Sequence, residues 1–360
     1  MSITIAERLH PYSHTAGTFC MLPGTEIGLQ IFPTLIHVFA DSAQQPICSV
    51  RIDLEGPLRD FTVEVDLEKG RVRVYGFSVQ GYFCYLLEHR ADGIGLTFEK
   101  IAFKQVQCHL AQLYTLHPGE TLLVPIAYAL PQLPIPNERL SLGMHRAQDW
   151  DGLKRRFDFK EIFPLWMRLG CATPQKADKG ALPLLQTCLE LIDQGRKDEI
   201  FSAFKRLFLA GFRGLLHPRL FDDEYQGISG AQQPNDSLPD ALSYLSQGAL
   251  AIRSLFFQER EDAWIFLPCV PADFHCGRMV HISTQQGDLL DFEWSKKQLQ
   301  QVHTKLAEQR PLRLRFPKEF KRVRLRHKFR ERGQMCELVD GFLYMPAEHG
   351  CALLFDRFQK

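Results

Sequence analysis

Most of the patterns that assign a chain to a known chemistry are missing from this sequence. It contains no GxxxxGK(S/T) phosphate loop, no GxSxG nucleophile elbow and no GxGxxG motif after a predicted strand. The glycines of DGIGLTF stand among strands, without a following helix whose N-terminus could bind an anion. Nucleotide-dependent catalysis is therefore poorly supported, and we expect no cofactor.

The chain also lacks an excess of charge of either sign, because 43 Lys and Arg residues stand against 42 Asp and Glu residues. Such a balance produces no long-range field that would draw the whole molecule to nucleic acid or to an anionic membrane. The N-terminus has no basic segment followed by an apolar run, and no stretch approaches the ~18 apolar residues of a membrane span. We expect a cytoplasmic protein without a membrane partner, and the charge balance disfavours nucleic acid as a partner, which would have to bind to a local patch.

Cysteine pairs are missing as well, since the ten cysteines are scattered singly without a CxxC spacing. Most of them stand among apolar neighbours, where a free thiol acts as a small hydrophobic side chain, so reduced cytoplasmic thiols are predicted. One cluster, Cys269, His275, Cys276 and His281, has the residue types of a zinc site. Its spacing fits no familiar zinc module, and we expect no metal.

What the sequence does contain is the composition of a folded protein with more than one unit. Hydrophobic residues make up 45% of the chain and charged residues 24%, which is typical of globular proteins. The length of 360 residues exceeds the ~100–200 residues of a single domain. We therefore expect two or three packed units.

The front of the chain has the pattern of successive strands. Apolar and polar positions alternate in FTVEVDL, residues 61–67, and again in RVRVYGFSV, residues 71–79, after a short loop that contains Gly70. Alternation on both sides of such a loop predicts a β-hairpin, and further short strands of this kind are typical of a β-sandwich. The prolines of ALPQLPIP favour an extended connector. We therefore assign residues 1–136 to an N-terminal β-sandwich.

The next region, residues 137–262, carries the apolar spacing of helices. Asp158 followed by Glu161 is typical of a capping box, although Pro164 would interrupt or begin a turn there. Three apolar stripes follow, formed by Leu182, Leu185, Leu189 and Ile192; by Phe201, Phe204, Phe208 and Phe212; and by Leu242, Leu245, Ala249, Ile252 and Phe256. Because each helix would bury one face, the stripes predict a linker and a short helical bundle with an aromatic core.

From residue 263 onward, apolar and polar residues again alternate along the chain, as in the front region. WIFLP, MVHIST, DLLDFEW and RVRLRH are predicted strands, because they alternate and are rich in β-branched or aromatic residues. These strands predict a C-terminal antiparallel β-domain over residues 263–360. The fold class expected for the whole chain is therefore α+β, with an N-terminal β-sandwich, a short helical bundle and a C-terminal antiparallel β-domain.

Positive charge is concentrated in residues 310–332, which hold eleven Lys or Arg residues against two Glu. Arg322, Arg324 and Arg326 alternate with apolar residues, so they would share one face of a strand and could bind an anion or a phosphate backbone. The alternative is a solvated face that protects an edge strand from aggregation. The scarcity of aromatic residues around these arginines favours the protective face.

Two groups of carboxylates have the residue types that glycoside hydrolysis requires, which are a proton donor and a base. Asp149 and Asp151 flank a tryptophan, an arrangement found in sugar sites and also at helix N-termini, and we favour the structural interpretation. Asp222, Asp223 and Glu224 stand together after the Phe-rich helix. They are the candidate catalytic residues.

Three segments of the last third resemble one known family. They are HPRLFDDEYQGISG, LSYLSQGALAIRSLFFQ and WIFLPCVPADFHCGRMVHISTQQGDLLDFEW, within residues 217–296. These segments are similar to the last barrel helices and the C-terminal β-domain of glycoside hydrolase family 95, an α-L-fucosidase-like family. The matching positions are Leu267, Pro268, Val270, Pro271, Gly277, Gly287 and Trp294. The resemblance implies a β-sandwich, a linker, a helical barrel and a β-domain in that order, with carbohydrate as the partner.

The sequence departs from that family at the barrel and at the catalytic site. A barrel of twelve helices needs about 200 residues, whereas about 110 lie between residues 152 and 261. The resemblance also implies an Asp that helps to activate the attacking water, and Ser229 stands at the similar position. A serine hydroxyl is a far weaker base than a carboxylate. Asp222 matches the Asp of the family's LFD loop, whereas Asp223 and Glu224 match none of its motifs.

Three hypotheses follow from the sequence. The first is a glycoside-hydrolase-like, non-catalytic protein with a carbohydrate-related binding role or a structural and assembly role. The second is an active glycosidase with relocated carboxylates, in which Asp222, Asp223 and Glu224 act. The third is an anion or nucleic-acid binder that uses Arg322, Arg324 and Arg326 in the Arg-rich strand. Whether the chain is an enzyme, and which proteins it contacts, stay open at this point.

Overall fold

The structure is a computed structural model that describes residues 3–40, 45–126, 137–174, 182–221, 240–260, 263–328, 330–347 and 352–360. The chain is an α+β protein with β-rich N- and C-terminal regions and helices between them. The predicted fold class is therefore confirmed. No helix within the described ranges has both the length and the apolar character that crossing a membrane requires.

The described residues of the front region form two antiparallel sheets of six strands each. The strands are β1 (Tyr12–Ser13), β2 (Thr18–Met21), β3 (Ile27–Phe32), β4 (Leu35–Ala40), β5 (Cys48–Ile52), β6 (Arg59–Asp66), β7 (Arg71–Ser78), β8 (Gly81–Arg90), β9 (Gly93–Ile101), β10 (Val106–His109), β11 (Leu113–Leu116) and β12 (Thr121–Pro125). Their orders are β1-β6-β7-β8-β9-β12 and β11-β10-β5-β4-β3-β2. The predicted hairpin is confirmed, because β6 and β7 pair antiparallel.

The two front sheets share one apolar core. Val63 and Val65, two of the alternating apolar positions of β6, are fully buried. Tyr85 of one sheet is also fully buried, and it belongs to the same cluster of buried residues as Cys20 and Cys108 of the other sheet. Side chains of one period-two face in each sheet therefore meet in the middle of a sandwich.

The middle region begins with the short strand β13 (Arg139–Ser141) and continues with helices. These are α1 (Trp150–Arg156), α2 (Phe159–Cys171), α3 (Pro183–Asp193), α4 (Lys197–Gly211) and α5 (Leu242–Phe256). Asp149 caps α1 by accepting a hydrogen bond from the backbone N–H of Asp151 at 3.2 Å, and Trp150 is buried. The structural interpretation of this acidic pair is therefore confirmed.

The predicted capping box of α2 forms only in part. Asp158 accepts a hydrogen bond from the backbone N–H of Lys160 at 2.9 Å, so the cap itself is present. Glu161 instead receives two hydrogen bonds from Nε of Arg156, at 3.0 and 3.1 Å. Pro164 lies inside α2 without ending it, because the helix continues to Cys171.

A close contact between α2 and α5 organises the helical core. The indole N–H of Trp166 in α2 donates to the carbonyl oxygen of Tyr244 in α5 at 3.0 Å. Gly248 of α5 lies under the same indole, and a Cβ atom there would come within 2.5 Å of the ring. The ring of Phe204 from α4 packs edge-on against Trp166, 5.9 Å away. The predicted phenylalanine stripe is therefore part of an aromatic core.

A small hairpin connects the helices to the front sandwich. It consists of β14 (Phe212–Arg213) and β15 (His217–Pro218), so the last phenylalanine of the predicted stripe belongs to a strand. The backbone N–H of Leu215 donates to the carbonyl oxygen of Phe19 in β2 at 2.7 Å. The guanidinium of Arg213 lies 3.7 Å from the centre of the Phe19 ring. The hairpin is thus held against β2 by both backbone and side-chain contacts.

The described residues of the tail form a seven-stranded and a four-stranded sheet. The strands are β16 (Phe257–Arg260), β17 (Ala263–Phe266), β18 (Gly277–Ser283), β19 (Leu289–Ser295), β20 (Gln298–Lys305), β21 (Arg310–Arg315), β22 (Arg322–Arg326), β23 (Gln334–Glu337), β24 (Phe342–Ala347) and β25 (Ala352–Gln359). The sheet orders are β13-β18-β19-β20-β25-β22-β23 and β16-β17-β21-β24. All neighbours pair antiparallel except β17 and β21, which are parallel.

The N-terminal segment 3–13, which we call the N-terminal strap, contacts all three regions. The backbone carbonyl of Leu9 accepts a hydrogen bond from Leu67 of the front sandwich at 3.1 Å, and the N–H of Tyr12 donates to Gln148 at 3.0 Å. Arg278 of β18 donates to the carbonyl oxygen of Thr4 at 3.1 Å. Front, middle and tail therefore meet along one stretch of backbone.

Candidate functional site

A groove with a volume of about 740 Å³ lies at one end of the four-stranded tail sheet. Its walls include side chains from all four strands and from the turn between β18 and β19. Those that carry polar or aromatic groups are Glu259, Trp264, Gln285, Gln286, Arg310, Arg313 and Tyr344. The groove thus combines aromatic rings, amides and charged groups in a volume that suits a small ligand.

Strand register decides which side chains of this sheet are exposed. Ala263 pairs with Arg313 and Arg313 pairs with Tyr344, so these three positions share one face. Ile265, Arg315 and Phe342 form the next row on that face. We call this the outer face, because Tyr344 is 62% exposed.

Positions between these rows point to the opposite face and are buried. Trp264 pairs with Leu314, and Leu314 pairs with Leu343. All three are nearly inaccessible to solvent. Successive residues of a strand point to opposite faces, so RPLRLR places its two leucines in the core and two of its arginines on the outer face.

A buried carboxylate holds the groove arginine Arg310 in place. The side chain of Asp288 has no exposed surface, and both of its oxygens accept hydrogen bonds from the guanidinium of Arg310. Thr284 donates to the same carboxylate at 2.9 Å, and the N–H of Ala307 donates at 2.8 Å. Burial by itself would raise the pKa of Asp288, but these bonds outweigh it and lower the pKa below its ordinary value.

The same arginine is positioned against an aromatic ring. The guanidinium carbon of Arg310 lies 5.6 Å from the centre of the Trp264 ring, which is within the range of a cation–π contact. Because Asp288 and Trp264 hold it from two sides, Arg310 has one defined position in the groove. The indole is buried, so it supports the wall of the groove more than it offers a free stacking surface.

On the outer face, arginines and aromatic rings lie in contact. The guanidinium of Arg313 is 4.7 Å from the centre of the Phe342 ring and 5.5 Å from that of Tyr344. The two rings are stacked, with centres 6.1 Å apart and planes at 27°. Stacked guanidinium groups keep their N–H donors at the edge of the ring, so this surface combines apolar area with positive charge.

Glu259 is the single carboxylate among the described residues that line the groove. Its Oε1 atom accepts a hydrogen bond from the backbone N–H of Gln285 at 3.2 Å, which fixes the turn that closes one side. Glycoside hydrolysis uses two carboxylates, about 5–10 Å apart, on either side of the bond that is cleaved. The described part of this groove can therefore bind and orient a polar ligand, but it contains one acid where hydrolysis requires two.

The predicted anion-binding residues lie together on β22, on one face of the strand as expected. Arg324 makes two hydrogen bonds to Asp356 of β25, at 2.7 and 2.9 Å, and Arg326 contacts the same carboxylate. Burial would raise the pKa of Asp356, but the two arginines outweigh this effect and lower it. Arg322 is 57% exposed and pairs with Glu337 at 3.0 Å. Anion binding by this face stays a prediction, and each of its three arginines already has an anionic partner within the chain.

The candidate catalytic residues Asp222, Asp223 and Glu224 lie outside the described residues, as does Ser229. Their roles therefore stay predictions. Within the part of the chain that the structure describes, no group of three or more His, Cys, Asp or Glu residues is arranged to hold a metal ion. Two of the residues that were considered as zinc ligands are Cys269 and His281. Cys269 is buried, and the backbone N–H of His281 donates to Asp291 at 2.7 Å.

Sequence reasoning missed the groove because its parts are far apart in the chain. Trp264 and Arg310 are separated by more than forty positions, and the parallel pairing of β17 with β21 brings them together. A signal was present in RPLRLR and in FLYMP, where arginines and aromatics occupy alternate positions. Each segment alone is typical of an ordinary half-exposed strand.

Comparison of the sequence with models of known protein families and with curated proteins finds no match. The resemblance to glycoside hydrolase family 95 therefore rests on the short motifs themselves. It enters the functional argument below as part of a proposal.

Proposed function

We propose that this chain is a glycoside-hydrolase-like protein that binds carbohydrate in the tail groove without cleaving it. The observation that carries the proposal is the combination of Tyr344, exposed at the rim, with Gln285, Gln286 and the fixed Arg310 in one groove of about 740 Å³. The resemblance of residues 217–296 to sugar-cleaving enzymes points to the same class of ligand.

Carbohydrate chemistry fits these side chains. A sugar ring has an apolar face of C–H groups and a rim of hydroxyl groups that both donate and accept hydrogen bonds. The exposed Tyr344 ring offers an apolar surface on which the C–H face of the sugar can pack. The amides of Gln285 and Gln286 each carry two N–H donors and an acceptor oxygen, which suit the sugar hydroxyl groups. Arg310 adds further donors in a fixed position.

Binding without hydrolysis is proposed on two grounds. Glu259 is the single acid among the described lining residues, so the second carboxylate of a hydrolytic pair is not present among them. Ser229 stands where the resemblance implies an Asp that activates water, and a serine hydroxyl is a poor base at neutral pH. A structural or assembly role that uses bound carbohydrate is compatible with the same groove.

A cytoplasmic location is part of this proposal. The nine cysteines among the described residues are all free thiols. Burial raises the pKa of Cys188 to about 12, so this thiol stays protonated and unreactive. Free thiols of this kind persist in reducing compartments. Cell fractionation with an antibody to the chain tests the location, and recovery from an oxidising compartment would contradict it.

Carbohydrate binding is tested by isothermal titration of the full chain with a panel of neutral oligosaccharides. Tyr344→Ala is expected to weaken binding about tenfold, the effect of losing ~1.4 kcal/mol of aromatic contact. Phe77→Ala is the matched control, because Phe77 is also a strand aromatic and is 46% exposed, yet lies in the front sandwich. Absence of binding across the panel, or an equal loss in both variants, would overturn the proposal.

The second hypothesis, an active glycosidase, has its own test. Release of a chromophore from aryl glycosides, measured over a panel of sugars, detects turnover directly. If turnover occurs and is abolished in the combined variant Asp222→Asn, Asp223→Asn and Glu224→Gln, relocated carboxylates are responsible. We expect no turnover by the full chain.

A further inference from the structure

A second cleft, of about 420 Å³, lies near the other end of the four-stranded tail sheet. Its walls come from the turn between α3 and α4, from the ends of β17 and β21, and from residues 316–319. Its charged side chains are Lys197, Arg260, Arg315 and Lys318, with the carboxylates Asp193 and Glu319. Positive charge thus exceeds negative charge in the cleft by two.

Three of these cations have no ion-pair partner within the described residues. Arg260 is paired with Asp193 at 2.5 Å, which also joins β16 to the end of α3. Lys197, Arg315 and Lys318 have no carboxylate within 4.0 Å among the residues that the structure describes. They come from the start of α4, from the end of β21 and from the segment that follows β21.

The cleft also has an apolar floor and one arginine with a fixed orientation. Phe266 and Phe316 line the cleft and are almost fully buried, and their rings are stacked 5.4 Å apart. The guanidinium of Arg315 lies 5.3 Å from the centre of the Phe342 ring. A planar guanidinium held against a ring presents its edge, which is the geometry for a bidentate contact with an oxyanion.

We propose that this cleft binds a small phosphorylated ligand of the sugar phosphate class. A phosphate monoester carries about two negative charges at neutral pH and three acceptor oxygens, which matches three cations arriving from three elements. The apolar floor and the size of the cleft suit the organic body of such a ligand. This site is separate from the carbohydrate groove, and the inference does not depend on the proposed function.

A single phosphate group fits the arrangement better than a polyanion. The unpaired cations line one cleft of about 420 Å³, whereas a polymer backbone is bound by charges spaced along a track. A monocarboxylate would offset only one of the two excess positive charges of the cleft. The number and convergence of the cations therefore favour one dianionic group.

The test is isothermal titration of the full chain with glucose 6-phosphate, with inorganic phosphate and with glucose. We expect saturable binding of glucose 6-phosphate, weaker binding of inorganic phosphate, and about a tenfold loss of glucose 6-phosphate affinity in each of Lys197→Gln and Arg315→Gln. Lys100→Gln is the matched control, since Lys100 is an exposed strand lysine of the front sandwich. It should bind like the unmodified chain.

Two further variants identify where the ligand binds. Tyr344→Ala should leave the affinity for glucose 6-phosphate unchanged, because Tyr344 belongs to the groove. Loss of affinity in Tyr344→Ala but not in Arg315→Gln would place the ligand in the groove and overturn the inference. No saturable binding, or equal affinity in Lys197→Gln, Arg315→Gln and Lys100→Gln, would also overturn it. Circular dichroism of each variant verifies that the fold is retained.

Discussion

The Nε2 atom of His217 occupies the space that a side chain at Gly28 would need. Gly28 lies in β3 of the front sandwich, and His217 lies in β15 of the small hairpin, so the pair marks the point where two regions meet. A Cβ atom at Gly28 would overlap the imidazole. The His217 ring also packs against Phe19, with ring centres 5.3 Å apart. Glycine at this position is therefore required by a buried neighbour from a different part of the chain.

We expect Gly28→Ala to lower the free energy of unfolding by about 1–3 kcal/mol, because overpacking displaces buried side chains. Chemical denaturation of the full chain measures this change. Gly152→Ala is the control, since the nearest atom to its Cβ is the flexible end of Arg156 and alanine is favoured in a helix. If Gly28→Ala is as stable as the unmodified chain, the hairpin can move away from β3.

Acid should weaken the fold through His217. Burial, followed by the positive charge of Arg213, lowers the pKa of His217 from 6.5 to about 3. As pH falls, the unfolded chain gains a proton on His217 near pH 6.5 while the folded chain does not. The free energy of unfolding is therefore highest, with respect to His217, above pH 6.5 and decreases as pH falls toward 3. The slope of the free energy of unfolding against pH reaches about 1.4 kcal/mol per pH unit. Urea unfolding between about pH 7 and pH 5 should show a flatter dependence for His217→Gln. Parallel curves would show that other groups are responsible.

His10 of the N-terminal strap should act in the opposite direction. Its Nδ1 atom lies 3.4 Å from Glu64 and its Nε2 atom lies 3.6 Å from Asp66. The hydrogen bond with Glu64 raises the pKa of His10, and the charge of Asp66 raises it further. Burial lowers the pKa, but its effect is outweighed. Because the folded pKa exceeds the unfolded one, this contribution is present below about pH 6 and is lost as pH rises through the raised value.

His10→Gln should therefore be less stable than the unmodified chain at about pH 6, and the difference should shrink by about pH 8. Thermal unfolding in matched buffers measures it. A difference that is the same at both pH values would mean that His10 contributes through packing and not through its charge.

The Arg-rich strand makes a prediction that uses a matched pair of arginines. Arg322 of β22 and Arg278 of β18 are 57% and 52% exposed, and each pairs with a glutamate of the neighbouring strand, at 3.0 and 3.2 Å. We expect Arg322→Ser and Arg278→Ser to leave a heparin column at similar salt concentrations, because the arginines beside Arg322 are both bound to Asp356. A clearly earlier elution of Arg322→Ser would support the anion-binding hypothesis.

Local patterns in the sequence predicted those parts of the fold that depend on neighbours in the chain. The hairpin of β6 and β7 follows from alternation on both sides of a short loop, and the cap at Asp149 follows from its position before a helix. The path of α2 through Pro164 could not be predicted in this way. Tertiary packing of the helix, with Trp166 bonded to Tyr244, outweighs the lost N–H donor.

The candidate site was beyond the reach of local patterns for a different reason. Alternation in RPLRLR indicates which residues share a face, but it does not indicate which strand pairs with which. The partners of Arg313 are Ala263 on one side and Tyr344 on the other, fifty and thirty-one positions away. The ion pairs of Asp356 with Arg324 and Arg326 depend equally on the pairing of β22 with β25. Long-range register therefore determines the groove and the environment of the arginines alike.

The N-terminal strap has a consequence for dividing this protein into fragments. A fragment of residues 1–136 would keep the bond between Leu9 and Leu67 but lose the one between Tyr12 and Gln148 and the one between Arg278 and Thr4. Residues 139–141, just beyond that boundary, pair with β18 of the tail sheet. A cut at the proline-rich connector would thus leave β13 with the tail sheet and remove the bonds of the strap to the middle and the tail, so ligand binding is best studied with the intact chain.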